Sequence, residues 1–292
     1  MREEGEYREA PPLPAGLYVV ATPIGHARDI TLRALDVLRG CDSIAAEDTR
    51  VTAKLLAIHG ISRRLTPYND HNAAQERPKL LQRLRGGERI ALVSDAGTPL
   101  VSDPGYKLVR EALADGLHVE AIPGASALLA ALVLSGLPSD RFLFAGFLPS
   151  RPGERRATLE ELKAVPASLV FFESPRRLAE SLPDLAAVLG DRAAAVGREL
   201  TKLHQEVRRG SLVELAAHYG QAEPPRGEVT LVVAPPQESG PDLERIDRLL
   251  DQALGFMPVR AAADLVAEAL GTARRAVYER ALARKELRDG RD

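Results

Sequence analysis

The sequence predicts an α/β fold with two sheets, and three features of the chain indicate it. In the first half, short apolar segments alternate with helical segments, as in a mostly parallel sheet with helices on its faces. In the second half, the segment 193–210 reads as two strands with no room for a crossover helix, so that sheet is expected to be mixed. After residue 242 the patterns are helical only, which predicts a small helical extension.

The first half contains four predicted strands, at residues 17–21, 43–46, 89–93 and 118–122. Helices are expected between and after these strands, at about 30–38, 74–84 and 127–134. One more helix is expected to end at residue 56, and another to follow the loop after residue 93. Residues 16–135 are therefore predicted to form an N-terminal α/β domain. The preceding fifteen residues are acidic and proline-rich, so we expect residues 1–15 to be a flexible arm.

The second half, residues 136–235, is predicted to be a C-terminal α+β domain. Its strand candidates lie at 142–147, 168–173, 193–199, 204–210 and 228–234, with helices at 154–163, 175–189 and 212–219. Beyond it, a helical extension covers residues 242–292. The segments 259–270 and 273–282, separated by Gly271 and Thr272, have the length and spacing of a helix-turn-helix, although two short helices around a glycine are common.

The composition excludes several classes of protein. The 292 residues carry a net charge of −2 with 45% hydrophobic residues, and no apolar run is long enough to span a membrane. The first sixteen residues lack the apolar core of a secretion signal, so we expect a cytoplasmic protein. With a single cysteine, Cys41, and six scattered histidines, no metal site is expected. Several arginine pairs offer local charge for phosphates despite the acidic balance.

The strand at 89–93 runs into the loop SDAGTPLVSDPG, where we expect the chemistry. Open α/β sheets bind ligands in loops at the carboxyl ends of their strands. This loop repeats a Ser-Asp step, at Asp95 and again at Asp103, and it contains two glycines and two prolines. It matches neither the dinucleotide pattern nor the triphosphate pattern, so neither ligand is expected.

Seven stretches of the chain, in order, resemble the ribosomal RNA small subunit methyltransferase I family. They are LYVVATPIG, AAEDTR, LVSDAGTPLVSDPG, IPGASALLAAL, FFESPRRL, GRELTKLHQE and GEVTLVV. The resemblance implies a two-domain, tetrapyrrole-methylase-like (class III) methyltransferase that uses S-adenosylmethionine. It further implies a homodimer that methylates the ribose 2′-hydroxyl of a cytidine in 16S ribosomal RNA near the decoding centre. The chain departs from the usual family pattern at His26-Ala27 and Gln205-Glu206, positions that the resemblance assigns to substrate-side loops.

The resemblance also implies where S-adenosylmethionine binds, in a cleft between the two domains. Its ammonium group needs a carboxylate, for which Asp95 is placed, and its carboxylate needs backbone donors such as those opening the helix after Ser126. The implied cofactor residues are Thr22, Pro23, Gly25, Asp95, Ala96, Gly97, Thr98, Pro99, Gly124, Ser126, Ala127, Phe147, Glu228 and Thr230.

Charged residues at three strand ends are the candidates for acting on the substrate. A ribose hydroxyl is a poor nucleophile, so a base or an orienting group is expected beside it. The candidates are Glu47, Asp48, Arg50, Glu173, Arg176, Arg198, Glu199 and Lys202. Each of them is equally consistent with an ordinary ion pair at the surface or between domains.

Two other functions stay open at this point. The same fold and cofactor serve methylation of a corrin-type tetrapyrrole, although the basic pairs, the helical extension and the AEDTR and FFESPRRL segments disfavour it. A non-catalytic ribosome-assembly factor that has kept the fold is the third reading, and the intact SDAGTPLVSDPG loop argues against it.

Overall fold

The computed structural model describes residues 12–221, 223, 225–236 and 243–289. The chain divides into two compact units, with the boundary between Pro235 and Pro236. Most of the predicted N-terminal arm, residues 1–11, lies outside the described residues. None of the helices within the described ranges is long and apolar enough to cross a membrane.

Five parallel strands form the first sheet, in the order β3-β2-β4-β1-β5. The strands are β1 Gly16–Val20, β2 Ser43–Ala46, β3 Arg64–Pro67, β4 Arg89–Val93 and β5 Val119–Ile122. The helices are α1 Leu32–Gly40, α2 Thr49–Ile58, α3 Ala73–Arg85, α4 Tyr106–Ala114 and α5 Ala127–Ser135, with a 3₁₀ turn at Ala27–Asp29. The predicted parallel sheet is confirmed, and β3 is an additional strand.

Strand β3 was not predicted, because its sequence lacks the apolar pattern of a buried strand. It lies at the edge of the sheet and pairs only with β2. Its sequence, RLTP, begins with an exposed arginine and ends in an exposed proline. Charged residues and proline are typical of edge strands, where one side of the backbone needs no partner, and they weaken the apolar signal.

The strand order creates a crevice at the carboxyl ends of β1 and β4. From β1 the chain crosses over β4 to reach β2, whereas from β4 it crosses over β1 to reach β5. The two connections therefore leave neighbouring strands in opposite directions. Open α/β sheets bind their ligands at such a point.

The second sheet is mixed, as predicted, with the order β6-β7-β10-β8-β9. Strands β6 and β7 are parallel, and the other neighbours are antiparallel. The strands are β6 Phe142–Phe147, β7 Ser168–Glu173, β8 Ala193–Arg198, β9 Glu206–Ser211 and β10 Val229–Val233. The helices are α6 Pro152–Leu162, α7 Leu178–Leu189 and α8 Leu212–Gln221, and a 3₁₀ turn at Pro175–Arg177 precedes α7.

Alternating side chains on β7 join this sheet to both of its neighbouring layers. Leu169 and Phe171 belong to the core shared with α6, α7 and α8. Val170, on the opposite face, packs with Leu128 and Leu132 of α5. Because side chains alternate across a strand, a single segment can contribute to two cores. Helix α5 therefore attaches the second sheet to the end of the first.

The second compact unit consists of α9 Leu243–Ala253, α10 Val259–Leu270 and α11 Arg274–Asp289. Its small core includes Ile246, Leu250 and Val277. Gly271 ends α10 with a left-handed φ of 61°, which produces the turn predicted between the two helices. Helix α11 extends beyond the predicted end at residue 282.

Candidate functional site

A cavity of about 430 Å³ opens at the crevice beside β1 and β4 and extends to the second sheet. Both sheets contribute to its wall, since it is lined by the loop after β4 and by the first residues of β10. Eleven of the residues named from the sequence line it, namely Glu47, Asp95, Ala96, Gly97, Thr98, Ser126, Ala127, Phe147, Glu173, Glu228 and Thr230. The cavity is therefore where the sequence placed the site.

The turn after β1 supports the wall rather than forming it. Thr22 and Gly97 exchange two backbone hydrogen bonds, of 2.8 and 3.0 Å, and the Thr22 hydroxyl donates to the carbonyl of Ser94. Gly124 approaches this turn so closely that a Cβ on it would lie 2.9 Å from the Cβ of Ala21. Five implied cofactor residues do not line the cavity: Thr22, Pro23, Gly25, Pro99 and Gly124.

Carboxylates dominate the polar part of the wall. The backbone N–H of Asp48 donates to Asp95 at 2.9 Å, and the N–H of Asp95 donates to Glu47 at 3.3 Å. Burial is the main cause that raises the pKa of both Glu47 and Asp95, and neighbouring carboxylates add to it. None of the described residues that line the cavity is basic. The wall is thus suited to a cationic ligand.

Asp103 belongs to the same wall, although no role was predicted for it. It lines the cavity, and burial together with Glu47, Asp95 and Asp70 raises its pKa to about 6, against a smaller lowering effect of the Ser94 hydroxyl. The signal that could have identified it was the repeated Ser-Asp step of the loop.

Glu173 lies at the end of β7, where its side chain is fully buried. It accepts the N–H of Ser174 at 2.7 Å and lies 3.3 Å from the guanidinium of Arg177, while burial raises its pKa. Arg177 in turn donates to the carbonyls of Leu148 and Pro149. The arginine that contacts Glu173 is therefore Arg177, the neighbour of the candidate Arg176.

The opposite side of the cavity is apolar. Phe147 and Phe172 line it, with ring centroids 5.5 Å apart, and Leu200 and Ile24 complete it. Phe147 is 59% exposed, although it is a large aromatic side chain beside a cavity. An exposed ring at such a position is available to stack on a planar ligand.

Two family models match the chain. Residues 16–216 match the family described as Tetrapyrrole (Corrin/Porphyrin) Methylases, and residues 240–285 match the RsmI C-terminal HTH domain. A protein of Mesorhizobium japonicum named "Ribosomal RNA small subunit methyltransferase I" is 54% identical over 281 residues, which is 96% of this chain and 95% of that protein. This chain belongs to the ribosomal RNA small subunit methyltransferase I family. A relative of the same name from Escherichia coli O157:H7 is 46% identical over 270 residues, covering 91% of this chain and 94% of that one.

Solved structures share the fold of this methyltransferase I family member. Uroporphyrin-III-C-methyltransferase from Thermus thermophilus has a TM-score of 0.56 at 22% identity, over 75% of this chain and 94% of that one. A diphthine synthase has a TM-score of 0.57 at 18% identity, over 75% and 89% of the two chains. At these identities the likeness concerns the fold alone, and it confirms the predicted tetrapyrrole-methylase architecture.

The family segment GRELTK forms a network next to the cavity. The Nζ of Lys202 lies 2.8 Å from Glu199 and 3.0 Å from Glu228, and Glu199 also accepts the N–H of Glu228. Gly227 lies beside it with a φ of 103°, a backbone conformation that favours glycine, and the Glu199 side chain occupies the space where a Cβ would lie. Neither Glu199 nor Lys202 lines the cavity, so the network holds its edge.

Three more predicted substrate residues lie outside the cavity lining. Asp48 receives the N–H of Arg50 as the cap of α2, and its carboxylate pairs with the exposed Arg50 guanidinium at 2.6 Å. Arg198 pairs with Glu206 at 3.1 Å. The structure thus brings Glu47 and Glu173 into the cavity and leaves Asp48, Arg50 and Arg198 outside its wall. Within the described residues, no cluster of side chains could hold a metal ion.

Several arginines of the helical unit are engaged in ion pairs within it. Arg280 pairs with Asp247, and Arg284 lies between Asp247 and Asp251. Arg274 likewise pairs with Asp264. The charge of these arginines is therefore compensated by acids of the same unit.

Proposed function

We propose that this chain transfers the methyl group of S-adenosylmethionine to the ribose 2′-hydroxyl of a cytidine in 16S ribosomal RNA near the decoding centre. One observation carries the proposal: a relative named for the small-subunit RNA is 54% identical over 96% of the chain. The acidic cavity at the crevice of the first sheet supplies a site of the required chemistry.

The cavity suits S-adenosylmethionine in each of its parts. The sulfonium and ammonium groups are cationic, and Asp95 and Glu47 line the wall with raised pKa values that a positive charge would relieve. The cofactor's carboxylate fits the first turn of α5, where Ser126 caps the helix and the N–H groups of Ala127 and Leu128 begin it. The exposed ring of Phe147, with Thr230 nearby, forms the proposed adenine slot.

The remaining cofactor residues act through the shape of the site. Thr22 and Gly97 fix the loop after β4 through their paired hydrogen bonds. The network of Glu199, Lys202 and Glu228 keeps the end of β10 against the cavity. We propose that these groups hold the adenosine without taking part in the reaction.

The chemistry divides between the cofactor and the chain. S-adenosylmethionine supplies an electrophilic methyl group when bound. The chain has to place the ribose hydroxyl in line with that methyl and exclude water from it. Glu47 and Glu173, which enter the cavity from the first and second sheets, are the proposed groups for orienting the hydroxyl. Arg50 at the rim is proposed to meet an RNA phosphate by leaving Asp48.

We further propose an assembly that resembles the family's. Residues 16–135 and 136–235 are taken as the two domains, with 242–292 as a helical extension. Leu129 and Val133 lie one turn apart on α5 and are 49% and 78% exposed, which fits a homodimer contact. A protein that acts on the small ribosomal subunit of a bacterium belongs in the cytoplasm. Sedimentation of a Val133→Glu variant, expected to be monomeric, tests the contact.

The test of the function is a map of ribose methylation on small-subunit RNA. Ribosomal RNA from cells that lack this protein is compared with RNA from cells that contain it. We expect one cytidine to lose its 2′-O-methyl group, and purified protein with S-adenosylmethionine should restore it on isolated subunits. Identical maps in the two cell lines would refute the proposal.

A further inference from the structure

Asp103 is a wall carboxylate to which neither the resemblance nor the proposed cofactor contacts assign a role. It follows a tight stretch of the loop in which Leu100 and Ser102 adopt left-handed φ angles of 74° and 64°. Non-glycine residues hold such angles only where the surrounding structure enforces them, and they cluster at functional sites. Asp103 lines the cavity, close enough to Glu47 and Asp95 for their charges to act on it.

The other wall carboxylates are already engaged. Asp95 accepts the N–H of Asp48, and Glu47 accepts the N–H of Asp95. Glu173 accepts the N–H of Ser174 beside Arg177, and Glu228 pairs with Lys202. At Glu47, Asp95 and Glu173, burial raises the pKa, but these hydrogen bonds lower it again in part, because they stabilise the charged form.

The groups that face Asp103 come from three neighbouring elements and make it basic. Glu47 follows β2, Asp70 follows β3, and Asp95 and Ser94 follow β4. The three acids and burial raise the pKa of Asp103 to about 6, whereas the Ser94 hydroxyl lowers it. A base of this strength is ionised at neutral pH and still takes up a proton readily, which is the condition for efficient general-base catalysis.

We infer that Asp103 is the catalytic base that removes the proton from the substrate hydroxyl. The inference rests on the proposed function. As the ribose oxygen forms its bond to the methyl carbon, the carbon–sulfur bond breaks and its electron pair goes to sulfur, leaving a neutral thioether. The hydroxyl proton passes to the Asp103 carboxylate and is later released to solvent, so that charge and atoms balance.

The experiment compares Asp103→Asn and Asp103→Glu with the unaltered protein on isolated small subunits. Asp115→Asn serves as the control, since Asp115 pairs with Arg85 at the far end of α4. We expect kcat to fall about 100-fold or more in Asp103→Asn, with cofactor affinity within about threefold of the original. Asp103→Glu, which keeps a carboxylate, should recover at least about tenfold of that loss.

The pH dependence separates a base from a merely structural residue. In the unaltered protein, kcat/KM for S-adenosylmethionine should rise with pH through about 6 and then level off. Asp103→Asn should lack this limb. Asp103→Asn should also unfold at a higher temperature than the unaltered protein at pH 8. The raised pKa of Asp103 means that its ionised form destabilises the fold above pH 6, and asparagine removes that charge. The gain in unfolding temperature should disappear below about pH 4, where Asp103 is protonated in both the folded and the unfolded state.

The outcomes distinguish the inference from the function on which it rests. An Asp103→Asn variant with unchanged kcat, or one that keeps the limb near pH 6, overturns the role of Asp103 and leaves the methyltransferase function standing. If Asp103→Asn does not fold, Asp103→Glu is compared with Asp103→Ala. Equal rates and the same dependence on pH near 6 in these two variants would likewise overturn the role of Asp103. Absence of methylation by the unaltered protein would instead refute the proposed function.

Discussion

The cavity wall and the contact between α6 and α7 both contain carboxylates, but their surroundings shift the pKa values of these groups in opposite directions. At the helix contact, burial alone would raise the pKa of Asp184, but hydrogen bonds from Arg156 and Arg155 lower it below its usual value. In the wall, burial and neighbouring acids raise the pKa values of Glu47, Asp95 and Asp103. The ion pairs at the helix contact stabilise the fold, whereas the wall carboxylates carry negative charge that a cationic ligand can compensate.

Removing the buried arginine should have the largest effect on stability. Arg155 is 2% exposed, lies 2.6 Å from Asp184 and also donates to the carbonyl of Ser150. Arg155→Leu leaves the Asp184 carboxylate without its buried partner, so we expect a loss of about 3–5 kcal/mol in urea unfolding. Arg156→Leu is the control, because the Arg156 side chain is 62% exposed and its pair should contribute about 0–1 kcal/mol. Equal losses would mean that burial does not distinguish the two arginines.

Neutralising a wall carboxylate should weaken the cofactor and leave the fold intact. Asp95→Asn keeps the shape of the side chain but removes the charge proposed to face the ammonium group. A charge-assisted hydrogen bond contributes about 1.5–3 kcal/mol, so the dissociation constant measured by calorimetry should rise about ten- to hundredfold. Asp42→Asn, which disturbs the ion pair of Asp42 with Arg89 at the amino end of the sheet, should leave that constant unchanged. Unaltered affinity in Asp95→Asn would remove Asp95 from the site.

Cofactor binding should also release protons from the cavity wall. Because Asp103 has a pKa of about 6, part of it is protonated at pH 6, and a bound cation lowers that pKa. Cofactor binding at pH 6 should therefore release about 0.2 proton per site, and at pH 8 almost none. Calorimetry in buffers of different ionisation enthalpy measures this quantity. The release at pH 6 should decrease strongly in Asp103→Asn, and an undiminished value would assign the proton to another group.

The smallest effect is expected from removing the helical unit. Every residue that lines the cavity lies between Ile24 and Thr230, within the first compact unit. A chain that ends at Pro235 should therefore bind S-adenosylmethionine with a dissociation constant within about twofold of the original. Methylation of small subunits should fall, because we propose that the extension takes part in binding the particle. Parallel loss of cofactor binding would show that the extension supports the cavity.

Local sequence patterns were sufficient for most of the elements. Strands β2, β4, β6 and β7 have the predicted bounds, because each is a short, mainly apolar run bordered by turn residues. The antiparallel pairing of β8 with β9 followed from the short connection between them. Strand β3 was missed because an edge strand needs little apolar surface. The family segments led to the region of the cavity, and eleven of the named residues line it.

The order of the elements, the mixed second sheet and the loop at which the cavity opens could be predicted from the sequence. All three depend on apolar periodicity and on short connections, which are local properties of the chain. The partners and surroundings of the charged side chains, by contrast, followed from the tertiary structure alone. Glu199 and Lys202 resemble catalytic residues in sequence but bind each other beside Gly227. Asp103 resembles a turn residue but faces two other acids in the cavity. The reason is physical: the pKa and the partner of a side chain depend on burial and on through-space neighbours, which come together only when the distant strands have packed.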